Sequence, residues 1–134
     1  MKYSIKANSS SKDNGIINIK QSEIIFGTTS ESTNTFANPA ELFLGAFSAC
    51  ILKNVERFSD MLNFEYSNAE ITVSATRLEK PPRMDDIKYE LRIYSQDSKL
   101  NIDLLKKNIE KFGTIFNTAK SSCSITGEIK KISE

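Results

Sequence analysis

The stretch from Asn38 to Cys50, Asn-Pro-Ala-Glu-Leu-Phe-Leu-Gly-Ala-Phe-Ser-Ala-Cys, places the strongest limit on what this chain can fold into. Asn38 is a capping residue, Pro39 fits the first helical position where a missing N–H costs nothing, and Glu41 completes a capping box, so a helix begins here. From Leu42 to Leu52 only Gly45 and Ser48 interrupt small and apolar side chains. A helix apolar on every side is expected to be buried on every side. Carried on to Ser59 it is about 30 Å long, the diameter of a small domain. It becomes amphipathic only where Lys53, Asn54, Glu56 and Arg57 interleave with Val55, Phe58, Met61 and Leu62, and it is expected to end between Asp60 and Asn63.

The segments on either side alternate. Tyr3, Ile5 and Ala7 step against Lys2, Ser4 and Lys6, and after the turn-forming run Asn8 to Gly15 come Ile16 to Lys20 and Glu23 to Phe26, so Met1 to Gly27 reads as two or three short antiparallel strands. Thr28 to Ala37 is polar and without period, a loop leading into the helix. Beyond the helix, Ala69, Ile71, Val73 and Ala75 share one face of a strand, and Ile87, Tyr89, Leu91 and Ile93 one face of another. Pro81 and Pro82 cannot donate ladder hydrogen bonds, so Glu79 to Asp86 is expected to be an exposed loop outside the sheet. Ile102, Leu105, Ile109, Phe112, Phe116 and Ala119 step by three and four, the spacing of a single helix from Ile102 to Ala119. The last strand is expected from Cys123 to Ile132, with Cys123, Ile125 and Ile129 on its dry face.

The order β-β-β-α-β-β-α-β is α+β, with antiparallel sheet wrapped around a long buried central helix. With 134 residues and 39% hydrophobic content, residues 1–134 read as one domain. One sheet covers one side of a helix, so a helix apolar all round calls for a second copy of the chain, and the expectation is an intertwined homodimer.

Composition removes whole classes of chemistry. Eighteen basic against seventeen acidic residues, interspersed, give a formal charge of +1 and mark no nucleic-acid partner. The longest apolar run, Leu42 to Leu52, is half of what a membrane span needs, and no signal-peptide pattern is present, so no membrane partner and a cytoplasmic location are expected. No histidine occurs, which excludes Cys-His pairs, Ser-His-Asp triads and His-based zinc sites. Neither a metal nor a cofactor is expected.

What remains is thiols, carboxylates, amines and guanidiniums, and of these the thiols are two, Cys50 in the helix and Cys123 far along the chain. They are either two small buried hydrophobes or a peroxidatic thiolate with a resolving partner, in which peroxide attack leaves a sulfenic acid that the second thiol condenses to a disulfide.

The segment Asn38-Pro39-Ala40-Glu41-Leu42-Phe43, followed by Ala46, Ser48, Ala49 and Cys50 and much later by Cys123, resembles the OsmC/Ohr family of osmotically inducible and organic-hydroperoxide-resistance proteins, in its broader OsmC-like branch. The resemblance covers nearly the whole chain in element order. It implies an intertwined homodimer with sites at the subunit interface and a thiol-dependent peroxidase. Cys50 would attack an organic hydroperoxide, Cys123 would resolve it, and a dithiol such as lipoamide would restore both.

The family also implies a helix glutamate and an early arginine that hold the attacking cysteine as thiolate. The glutamate carries over to Glu41, which projects about 180° from Cys50 on a helical wheel and equally serves the capping box. No arginine precedes Arg57. Arg57, about 20° from Cys50 on the wheel but two turns on, and Lys20 on the early strands are the candidate cations. Phe43 and Phe47, near the Cys50 face, are the candidate substrate pocket for an alkyl or lipid-like hydroperoxide.

Two other readings stand beside this one. One is a non-enzymatic dimer of the same fold that binds a small hydrophobic ligand, with both cysteines structural. The weaker is a hotdog-type thioesterase or dehydratase, which the regular helix from Ile102 to Ala119 argues against.

Overall fold

The computed structural model describes residues 1–133. The chain forms two compact units, Met1–Phe43 and the remainder from Leu44. In the first, β1 (Lys6–Ser9), β2 (Gly15–Ile19) and β3 (Ser22–Phe26) form an antiparallel sheet in chain order, with Lys6 opposite Asn18 and Ile19 opposite Ser22. The expected strand from Met1 onward starts only at Lys6, leaving Tyr3 and Ile5 exposed. β2 ends at Ile19, which stands opposite Ile5 in this register, and Lys20 then turns the chain with φ +54°, so the residues before Ile5 have no strand opposite them. Lys20 therefore sits in a turn, where the sequence reading had placed it on a strand.

Thr28 to Ala37 is the expected loop. It holds one 3-10 turn, Ser30–Ser32, closed by Ser32 Oγ donating to the Thr29 carbonyl at 2.9 Å, and Gly27 N–H ties back to the Ala37 carbonyl at 3.0 Å. Then α1 (Pro39–Met61) starts on a complete capping box: Glu41 N–H donates to Asn38 Oδ1 at 2.8 Å and Asn38 N–H to Glu41 Oε1 at 3.0 Å.

The second unit carries the rest of α1, then β4 (Asn68–Glu79), β5 (Pro82–Tyr94), α2 (Ile102–Phe112), α3 (Thr114–Lys120) and β6 (Ile125–Ile132). The architecture is α+β, with sheet order β4-β5-β6. The central strand β5 buries Ile87, Tyr89, Leu91 and Ile93, and Leu105, Ile109, Phe116 and Ala119 of the later helices join Phe47, Ile51, Val55 and Phe58 of α1 in one core. Among the described residues no helix is long and apolar enough to cross a membrane.

Three expectations are corrected in this unit. First, β6 pairs parallel to β5, Ile87 opposite Ile125, where an antiparallel partner was expected. The helices between them carry the chain back to the end where β5 began, which is what a parallel pair requires.

Second, β4 and β5 run on to a two-residue turn, Glu79 opposite Pro82, where a prolonged loop was expected. Pro82 is tolerated because it is the first residue of its strand.

Third, the expected single helix breaks at Gly113, whose φ of −72° and ψ of 118° are extended. Phe112, the last residue of α2, is 47% exposed, with its ring 6.1 Å from that of Phe58.

Along α1, Phe47, Ile51, Val55 and Phe58 are buried while Gly45, Ala46 and Ala49 are exposed.

Tyr89 lies so close over Gly127 that a Cβ there would stand 1.9 Å from Tyr89 Cε1, and the ring is fixed by its hydroxyl donating to Glu110 Oε2 at 2.7 Å. Gly127→Ala is expected to lower stability by about 1–3 kcal/mol, as overpacking a filled core does. Urea unfolding checks this: the midpoint falls at unchanged slope, and a midpoint equal to that of the parent chain contradicts it.

Candidate active site

Cys50 sits three turns into α1, half-buried, one turn after the fully buried Phe47. Its sulfur rests against the break between α2 and α3: a Cβ on Gly113 would lie 3.2 Å from Cys50 Sγ and 3.0 Å from both the Ile109 carbonyl oxygen and Phe116 Cβ. One turn further along α1, Asn54 Nδ2 donates to the Cys50 carbonyl at 3.0 Å and lies 3.8 Å from Cys50 Sγ. Asn54 is 8% exposed.

Cys123 follows α3 as part of its closing turn, outside the strand it was expected to open. Its N–H donates to the Ala119 carbonyl at 2.8 Å, and the next N–H, that of Ser124, goes to Asp85 Oδ1 at 2.8 Å, so neither enters the ladder. The half-buried Cys123 Sγ donates to the Met84 carbonyl at 3.3 Å. Asp85 is well anchored: the Ser124 N–H first, then the Asp86 N–H and the Arg83 guanidinium at 3.6 Å, hold its carboxyl below the usual carboxylate range. Both thiols are free. The short helix α3 joins them, since Gly113 at its start touches Cys50 and Ala119 near its end holds Cys123.

The other candidate residues take different places. Glu41 is engaged in the capping box. Phe47 is a core residue, its ring 5.7 Å from that of Phe116 and 6.2 Å from that of Tyr89. Phe43 is half-buried. Arg57 lays its guanidinium over the Phe58 ring at 5.3 Å, and Lys20 is exposed in its turn.

Among the described residues no group of three or more Cys, Asp or Glu is placed to hold a metal. An open groove of about 1440 Å³ runs beside the end of α1, lined by Glu56, Arg57, Tyr66, Tyr94 and Asp97 among others, and neither thiol lines it. Burial, and then the neighbouring Glu56 carboxylate that accepts its hydrogen bond at 2.7 Å, push the Tyr66 phenol up to about 12.

Sequence reasoning missed two residues at Cys50. Asn54 was grouped with the polar outer positions, although its i+4 spacing from Cys50 is the signal that places it on the same face. Gly113 lay inside an apparently continuous helical stripe, and a glycine there is the local mark of a break. Gly113→Ala is expected to cost about 1 kcal/mol, because the backbone carbonyl of Ile109 cannot swing aside. It should also change the alkylation rate of Cys50 relative to Cys123, measured by peptide mass spectrometry. Unaltered stability and unaltered relative rates would remove Gly113 from the site.

Comparison with known proteins places this arrangement. The family model described as OsmC-like protein matches residues 32–128, a span that includes Cys50 and Cys123. No curated protein matches the chain. Among solved structures, an OsmC-like protein from Mycoplasma pneumoniae is 17% identical with a TM-score of 0.87, over 98% of each chain. An organic hydroperoxide resistance protein OsmC from Legionella pneumophila is 13% identical with a TM-score of 0.68, over 96% of this chain and 97% of its own. The organic hydroperoxide resistance protein OhrB of Bacillus subtilis is 18% identical with a TM-score of 0.63, over 96% of this chain and 98% of its own. At these identities the likeness to the solved structures is one of fold. The match of the family model, over more than half of the sequence and both thiols, makes this chain a member of the OsmC-like family.

Proposed function

We propose that this chain, a single OsmC-like domain over residues 1–134, is a cytoplasmic thiol-dependent peroxidase that reduces organic hydroperoxides. The observation that carries the reading is the pair of free, half-buried thiols joined through α3, one beside an amide donor and the other beside a carbonyl acceptor.

The Cys50 thiolate attacks the terminal peroxide oxygen and the O–O bond breaks. The alkoxide leaves and takes up a proton as the alcohol, and Cys50 becomes the sulfenic acid, oxidised by two electrons. The Cys123 thiol then attacks that sulfur, water leaves, and a disulfide forms. A dithiol such as lipoamide reduces the disulfide and is itself oxidised to its own disulfide. Phe47 and Phe116 give Cys50 apolar surroundings that favour an alkyl peroxide over hydrogen peroxide. The solved hydroperoxide-resistance proteins of like fold support the same class of substrate.

Turnover of cumene hydroperoxide with dihydrolipoamide tests the assignment. Cys50→Ser is expected to abolish turnover, and Cys123→Ser to stop after one equivalent of peroxide per chain. Full activity in Cys50→Ser would overturn the reading. That result, together with slow alkylation of both thiols and no disulfide under peroxide, would favour a dimer that binds a hydrophobic ligand. The placement of Arg57 over Phe58 favours this second reading, since it engages a candidate cation elsewhere.

The working unit we infer is the homodimer. Gly45, Ala46 and Ala49 on α1 are exposed and carry no charge, and among the described residues nothing lies within 4 Å of a Cβ placed on Gly45. In the first unit Ile25 is 47% exposed on a three-stranded sheet. Sedimentation at micromolar concentration is expected to give twice the chain mass of 15.1 kDa, and a monomer there would overturn the assignment.

A further inference from the structure

We propose that Asn54 is the positioning residue of Cys50, its amide held beside the sulfur to favour the thiolate. The inference rests on the reading of Cys50 as the attacking thiol.

Asparagine inside a helix is a poorer helix former than leucine, and burying an amide costs free energy unless its hydrogens are used. Asn54 is nevertheless nine-tenths buried in the middle of α1, at a position where an apolar side chain would join Ile51, Val55 and Phe58. The amide has two N–H groups. One is spent on the Cys50 carbonyl at 3.0 Å, an oxygen that the helix ladder already serves, so this bond adds little to the helix. Its effect is to fix the side chain, which leaves Nδ2 3.8 Å from Cys50 Sγ. That distance is long for a neutral thiol. A charged sulfur accepts more strongly and shortens such a bond, and a donor aimed at the charged form favours that form.

Gly113 closes the other side of the sulfur with backbone and no side chain. Arg57 faces Phe58 and Lys20 stands in an exposed turn, whereas Asn54 is the group the fold places at Cys50. At Cys123 the arrangement is reversed: the sulfur donates to the Met84 carbonyl. The two thiols are thus built for different parts, Cys50 to attack and Cys123 to wait.

Alkylation of each thiol by iodoacetamide in the full-length chain, followed by peptide mass spectrometry across a pH series, tests this without peroxide. Asn54→Leu is expected to slow Cys50 about tenfold at neutral pH and to move its pH profile upward, while Cys123 serves as the unchanged internal control. Asn54→Asp, nearly the same shape but unable to donate, is expected to slow Cys50 at least as much, and it carries the test should the leucine variant fail to fold. A folded variant with the parental Cys50 rate and profile would overturn the proposal. The outcome is separable from that of the peroxidase reading. Slowed alkylation in Asn54→Leu alongside full peroxide turnover in Cys50→Ser retains the role of Asn54 at the sulfur and removes the peroxidase. Parental alkylation in Asn54→Leu alongside lost turnover in Cys50→Ser does the reverse.

Discussion

The placement of Tyr89 is the constraint on which the second unit depends. Its ring occupies the space that Gly127 leaves open on β6, packs against Phe47 of α1, and its hydroxyl donates a hydrogen bond to Glu110 of α2. One side chain on the central strand therefore fixes the parallel neighbour, the long helix and the crossover helix together. Burial first, and then the Glu110 carboxylate, hold the phenol well above its ordinary range, so it remains a neutral donor. The same carboxylate pairs with Lys106 at 3.4 Å, an i,i+4 ion pair along α2.

From that arrangement the surroundings of Cys50 follow. Phe47 packs against both Tyr89 and Phe116, which brings the start of α3 to α1 and the break at Gly113 to Cys50 Sγ. Cys50 lies one turn after Phe47, so its sulfur meets that break. The crossover that delivers β6 parallel to β5 also delivers Cys123, capped on Ala119 and set against Met84. The core packing and the disposition of the thiols have one cause. A substitution that loosens Tyr89 is felt at both sulfurs.

The exposed part of α1 has a different origin. Its buried stripe is completed by this chain, but the small residues at Gly45, Ala46 and Ala49 face outward with no charge among them. Apolar surface on a long helix weakens solubility unless something covers it. Small side chains also allow close approach of another backbone, which suits the second copy proposed above.

Much of this was legible in the residues because it depends on near neighbours. The capping box of Asn38 and Glu41, the alternation of β4 and β5, and the amphipathic stripe of α2 are local, and the sequence by itself determined them along with the α+β class and the family. What lay beyond it were effects that act between distant parts of the chain. The parallel direction of β6 was set by where the crossover ends. The burial of Asn54, read as a surface position, was set by what packs above it. Lys20 and the start of β1 depended on where a partner strand gave out. The two cysteines were visible from the start as the only reactive groups of their kind, yet the spacing between them says nothing of their surroundings. The i+4 spacing puts Asn54 on the face of Cys50, but only the tertiary structure decided that this amide is buried and that Cys123 meets the Met84 carbonyl, because burial and distant hydrogen-bond partners are supplied by packing, which no local pattern encodes.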